Sequence, residues 1–121
     1  MPPLADHEKY VPCLFDHTKN TTRRIWPASL KTAHIRAFHN KALVRVWSRP
    51  DKGSLYGHLA GHVRYTHVFD QPLSAVTAYD VMVEGFPTWT VREFLDMKGF
   101  KGLPPSTVVC VFMFVFYPLN G

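Results

Sequence analysis

Cysteine is scarce in this chain of 121 residues: Cys13 and Cys110 are its two copies, and no Cys-x-x-Cys spacing occurs. A disulfide framework and a cysteine-based zinc site are therefore not expected. Both cysteines lie in apolar runs, the setting of buried free thiols in a reducing compartment. Also missing are Gly-x-Gly-x-x-Gly, a Walker sequence and Gly-x-Ser-x-Gly, which argues against dinucleotide enzymes, triphosphate-cleaving enzymes and nucleophile-elbow hydrolases. No apolar run approaches the roughly 20 residues of a membrane helix. Residues 108–117 come nearest, but Pro104, Pro105 and Pro118 bracket them, and they read as a buried strand. Residues 1–9 are polar, with two prolines and no signal-peptide core. The expectation is a soluble intracellular protein, cytoplasmic or nuclear, with no cofactor, no metal and no membrane partner. Internal repeats and low-complexity tracts are absent too.

The most informative absence is of negative charge. Between His17 and Pro50 there is no Asp or Glu, yet Lys19, Arg23, Arg24, Lys31, Arg36, Lys41, Arg45 and Arg49 all fall there. The whole chain has 14 Lys and Arg against 9 Asp and Glu, a net charge of +5, and a pI near 9.4. Such a balance points to an anionic partner, nucleic acid being the commonest. The densest part is residues 17–26, where Lys19, Arg23 and Arg24 sit among Thr18, Thr21 and Thr22 and run into Trp26. A core has no need of that composition. It suits a place where an oxygen-rich or nitrogen-rich ligand is held, and its plain alternative is a solvated basic loop.

Length and apolar content (46%) fit one domain able to bury a core without staples. Residues 1–9 read as a flexible tail and residues 10–119 as the domain. Residues 10–15 are apolar and β-prone, a first strand with Pro12 at an edge or bulge, and residues 16–20 form the loop that delivers the basic stretch. Residues 27–40 read as a short helix or an irregular turn, with Ser29 as a cap and Ile35 and Phe38 inward. In residues 42–48, Ala42, Val44 and Val46 face one way and Leu43, Arg45 and Trp47 the other. Turn chemistry fills residues 49–54. Residues 56–69 read as a long bent strand with Leu59, Val63, Tyr65 and Phe69 inward and His58, His62, Arg64 and Thr66 outward. Gly57 and Gly61 would allow bulges or close backbone approach. A helix capped by Ser74, carrying Val76, Tyr79 and Val83 and stopped by Gly85, should follow. A capping box at Thr90 and Glu93 predicts another, with Phe94 buried. These elements predict an α+β domain: a small, curved, partly closed β-barrel of five or six mostly antiparallel strands with two or three flanking helices.

Lys19, Thr22 and Arg24 make a Lys-x-x-Thr-x-Arg pattern, and Val83-Glu84-Gly85-Phe86-Pro87 follows a predicted helix. In this order, with an apolar strand closing the chain, the sequence over residues 10–119 resembles the activating-signal-cointegrator homology (ASCH) family, of PUA-like fold. The resemblance implies that the basic loop and the Glu-bearing turn border one cleft. It also implies nucleic-acid or modified-nucleoside binding, RNA being favoured, with Lys19, Arg23, Arg24, Trp26, Lys31, Arg36, Arg45 and Arg49 as binding residues. In the family's N4-acetylcytidine amidohydrolases the residues matching Lys19, Thr22 and Glu84 are catalytic, so a second reading is removal of an acyl group from an N4-acylated cytidine. There a desolvated Lys19 would take the Thr22 proton and Glu84 would assist transfer. The bland counterpart is that Lys19 and Arg24 hold phosphate while Glu84 makes a structural ion pair. A third reading is a transcription-coactivator interaction module. One departure stands out: relatives carry a Glu near the position of Phe114, and this chain has Met113 there. The His58 and His62 pair invites a metal reading, but four residues of strand span about 13 Å, too far for one ion. Trp26, Trp47, Tyr56 and Trp89 are candidate stacking platforms, with core packing as the plainer role.

Overall fold

The computed structural model describes residues 4–7, 11–49, 58–97 and 99–119. Their strands are β1 (Leu4–His7), β2 (Thr21–Arg24), β3 (Val44–Arg49), β4 (His58–Pro72) and β5 (Val108–Pro118). They form one sheet in the order β1-β3-β4-β5-β2. β2, β5, β4 and β3 pair antiparallel, and β1 joins the β3 edge in parallel. The sheet curls into a half-barrel. The helices among the described residues are α1 (Val11–Phe15), α2 (Ala28–His39), α3 (Ala78–Val83) and α4 (Val91–Leu95), with a 3-10 turn at Leu73–Ala75.

Two apolar clusters fix this arrangement, one on each face of β5. Cys110, Phe112, Phe114 and Phe116 face inward with Val44, Val46, Val63, Tyr65 and Leu14, beneath α2. Val109 and Val111 face outward under Leu73, Val81, Phe86, Phe94 and Phe100. This is why the segment reads as an unbroken apolar run: its centre is buried on both sides. The alternation expected in β3 holds, with Val44 and Val46 fully buried and Leu43 and Arg45 exposed. Gly61 serves the close approach foreseen for it, since a Cβ there would sit 2.3 Å from the Tyr117 carbonyl oxygen.

The first quarter of the chain departs from expectation. Residues 4–7, read above as tail, form β1, and Leu4 is buried against the core. Residues 11–15 are a helix, not a strand. Pro12 falls in its first turn, where a missing N–H costs nothing, and Leu14 drops into the inner cluster. The basic stretch, expected as loop, becomes a strand from Thr21, whose β-branched neighbours suit a buried edge beside β5.

Smaller corrections follow from local chemistry. α2 begins at Ala28 behind Pro27, and Ser29 does not cap it. α3 is capped by Thr77, which forms a full capping box with Asp80; Ser74 lies in the 3-10 turn, and Tyr79 is exposed. The box outcompetes the lone serine because it satisfies two orphan donors. The Thr90–Glu93 box is present as expected. Phe69 is exposed because a bulge between Tyr65 and His67 flips the phase of β4 beyond it. The turn expected at residues 49–54, with Tyr56 and Gly57, lies outside the described residues apart from the end of β3.

Candidate functional site

β2 alternates, and the alternation splits the basic stretch between two faces. Thr22 and Arg24 sit opposite Phe112 and Cys110, on the inner face. Thr21 and Arg23 sit opposite Met113 and Val111, on the outer one. Lys19 precedes the strand in a loop pinned by its own N–H to the Cys13 carbonyl at 2.9 Å; the Asn20 N–H reaches the Val83 carbonyl at 2.9 Å. That second bond ties the loop to the end of α3, and so brings Lys19 to the Glu-Gly-Phe turn.

On the outer face the charges meet. Lys19 Nζ donates to the Glu84 carbonyl at 2.8 Å and to the Thr21 carbonyl at 3.3 Å, and stands 3.6 Å from Glu84 Oε1. Arg23 uses its whole fork: Nη1 to Glu84 Oε2 at 2.9 Å, Nη2 to Asp80 Oδ1 at 3.1 Å, and Nε to Gln71 Oε1 at 3.0 Å. Gly85, at φ 105°, ends α3, and a Cβ there would lie 3.4 Å from Lys19 Cβ. Lys19, Arg23 and Glu84 are 5%, 2% and 4% exposed. Two cations and two carboxylates balance, and each of the three guanidinium nitrogens has an acceptor, the kind of pairing under which buried charge is tolerated.

The inner face holds a different polar group. His34 of α2 is fully buried, with Nδ1 2.8 Å from the Tyr65 hydroxyl. Burial, and then the Arg24 charge, lowers the His34 pKa to about 4, and burial pushes the Tyr65 phenol upward. The imidazole is therefore neutral near pH 7. Trp26 lies 4.3 Å from the His34 ring and 5.3 Å from Phe112, half-buried as a packing residue. The Thr22 hydroxyl and His34 Nε2 are buried with no hydrogen-bond partner among the described residues.

The structure thus brings Lys19 to Glu84, with Arg23 rather than Arg24 bridging to the carboxylate. It leaves Thr22 facing the aromatic cluster around Phe112, one sheet face away from the ion cluster. Arg23 is committed inside the fold. Lys31 pairs with Asp70 at 2.9 Å. Arg24 is half-buried, and Arg36 and Arg45 are exposed. The Arg49 side chain lies outside the described residues. His58 and His62 share a strand, and no group of three His, Cys, Asp or Glu among the described residues is placed to hold a metal ion. Both cysteines are free; burial raises the Cys110 thiol pKa.

Sequence reasoning missed Asp80, Gln71, His34 and Tyr65. Asp80 had a readable signal: it stands four residues before Glu84, so a helix puts both carboxylates on one side. His34 had one too, lying at helical spacing before Ala37 and Phe38.

This half-barrel resembles the fold of an ASCH-domain protein. Among solved structures, the chain matches the crystal structure of a point mutant of ZmASCH from Zymomonas mobilis, with a TM-score of 0.51 and 10% sequence identity, over 97% of this chain and 72% of that one. No family model matches the chain, and no curated protein is similar to it. The shared property is the fold. No described helix is long and apolar enough to cross a membrane.

Proposed function

We propose that the protein binds nucleic acid, RNA in preference to DNA, through the cations around α2. The observation that carries the reading is the acid-free stretch of residues 17–49, which folds so that Arg24 ends β2, half-buried, and Arg36 lies on the exposed side of α2. Lys31 contributes less because Asp70 already neutralises it, and Arg23 not at all, being spent inside. RNA is favoured because the ASCH resemblance leans that way. Binding of this kind releases counterions, so affinity for labelled single-stranded RNA should fall steeply and linearly in a plot of log affinity against log salt. Arg24→Ala with Arg36→Ala should weaken binding and flatten the slope by about two phosphate contacts. Salt-independent binding, or none at low salt, overturns the proposal.

A second reading, N4-acylcytidine hydrolysis, is favoured by one observation: Lys19 and Glu84 do converge. Against it stand the ammonium, which already donates to the Glu84 and Thr21 carbonyls and sits buried beside the Glu84 carboxylate, and a Thr22 hydroxyl turned to the other face. Hydrolysis would require the cluster to open. Acetate release from N4-acetylcytidine that falls about a hundredfold in Lys19→Ala, with the fold retained, would favour the enzyme over the reader.

A further inference from the structure

Among the described residues, apolar cover lies on one half of the sheet's outer face. The segment from Leu73 to residue 107 packs on Val109 and Val111. Over the other half, where β3, the start of β4 and the end of β5 lie side by side, no such apolar cluster is packed among the described residues. There Arg45 pairs across to His62, His62 to Tyr117, and Arg64 to Val115. Directly paired residues share a face, so these side chains form two adjoining rows. Trp47 lies two residues beyond Arg45 on the same side. Arg45 and Arg64 are exposed, and Val115 and Tyr117 are 40% and 38% exposed despite their apolar rings and methyls. The Arg64 guanidinium carbon stands 5.8 Å from the centre of the Tyr117 ring. The described residues of β3, of β4 as far as Phe69, and of β5 include no carboxylate.

We propose that this open half-face, formed by Arg45, Trp47, His62, Arg64, Val115 and Tyr117, is a second nucleic-acid surface that takes single-stranded chains by stacking bases on Tyr117 while the arginines pair with phosphate. The inference rests on the nucleic-acid reading above but places contacts on the side of the sheet opposite α2. An aromatic ring beside guanidinium groups offers a π-face to any base and positive charge to the backbone. A duplex keeps its base faces stacked internally and can use only the charges, so a single strand is preferred. A second copy of the chain is a poor occupant, because face-to-face pairing about a two-fold axis brings two faces of the same charge sign together.

The test is fluorescence anisotropy of the full chain with a labelled single-stranded RNA about ten nucleotides long, and with the same sequence as a duplex. Tyr117→Ala should weaken single-strand binding about tenfold or more and leave duplex binding unchanged. Arg64→Ala should weaken both and flatten the salt slope by about one contact. Val115→Glu, which adds an anion at the centre of the face, should act on both in the same direction. Thermal unfolding like that of the wild type identifies variants that remain folded. Tyr117→Ala and Val115→Glu proteins that are folded and bind like wild type overturn this surface. If Arg24→Ala with Arg36→Ala still weakens binding, the α2 reading survives. Wild-type protein that binds neither probe overturns both. A wild-type dimer that Val115→Glu dissociates shows the face to be a self-association surface and overturns this proposal alone.

Discussion

Removing the Arg23 guanidinium would leave the buried Glu84 carboxylate with Lys19 alone, and Asp80, partly exposed, with only its cap to the Thr77 N–H. Breaking a buried pair from one side costs about 3–5 kcal/mol, so Arg23→Ala should lower the urea midpoint markedly, and a loss of RNA affinity without a loss of stability would mean that Arg23 does bind ligand. His34 gives a second prediction at this scale. It is neutral in the fold, with a pKa near 4 against an ordinary 6.5, so between those values the unfolded chain binds the extra proton. Stability is then greatest above pH 6.5 and declines as pH falls toward 4, by an amount on the order of 3 kcal/mol. Urea unfolding of wild type and His34→Phe across that range checks it: the variant should lose most of the slope. The Lys19–Glu84 meeting was legible in the sequence because an ordered motif pair carried it. The role of Arg23 was not, since one residue of strand phase decides whether an arginine faces solvent or a carboxylate, and the strand itself read as a loop.

Among the elements, those with strong local signals matched their sequences: β3 by alternation, α4 by its capping box, β5 by an apolar run bounded by prolines. Those that failed depended on tertiary context. α1 is five residues long, too short for helical periodicity to separate it from a strand, and Pro12 fits either reading. β1 is held by its parallel pairing with β3, which no local pattern in four residues announces. β4 kept its inward phase at Val63 and Tyr65 only: a register shift against β3 sets Leu59, expected inward, opposite Trp47, and a bulged residue after Tyr65 turned Phe69 outward. Gly61 tests how tightly β4 and β5 are seated. Gly61→Ala would drive a methyl into the Tyr117 carbonyl and the Phe116 ring, and the backbone oxygen cannot rotate away. A loss of about 1–3 kcal/mol is expected, measured by thermal unfolding. A neutral result would mean that the strands separate more easily than their register suggests. Thr90→Ala, by contrast, should cost only about 1 kcal/mol, the ordinary value of a lost cap.

For the molecule as a whole, β5 is the element on which both clusters depend. Val111 is fully buried between β4 and β2, and Val111→Asp would place an unpaired charge there. The domain should then lose its cooperative unfolding transition, read by circular dichroism against temperature.

Strand order also has a meaning in time. Among the described strands β2 has one sheet neighbour, β5, and residues 25–107 lie between them in the chain. A ribosome adds roughly 5–20 residues per second, so β2 waits several seconds for the strand that will hold it. During that interval Lys19 and Arg23 have no sheet to bury them, and the exposed half-made edge is open to chaperones and to any polyanion nearby. A nascent chain arrested at residue 107 should therefore be readily cut by protease within residues 17–26, and one extended past β5 should resist.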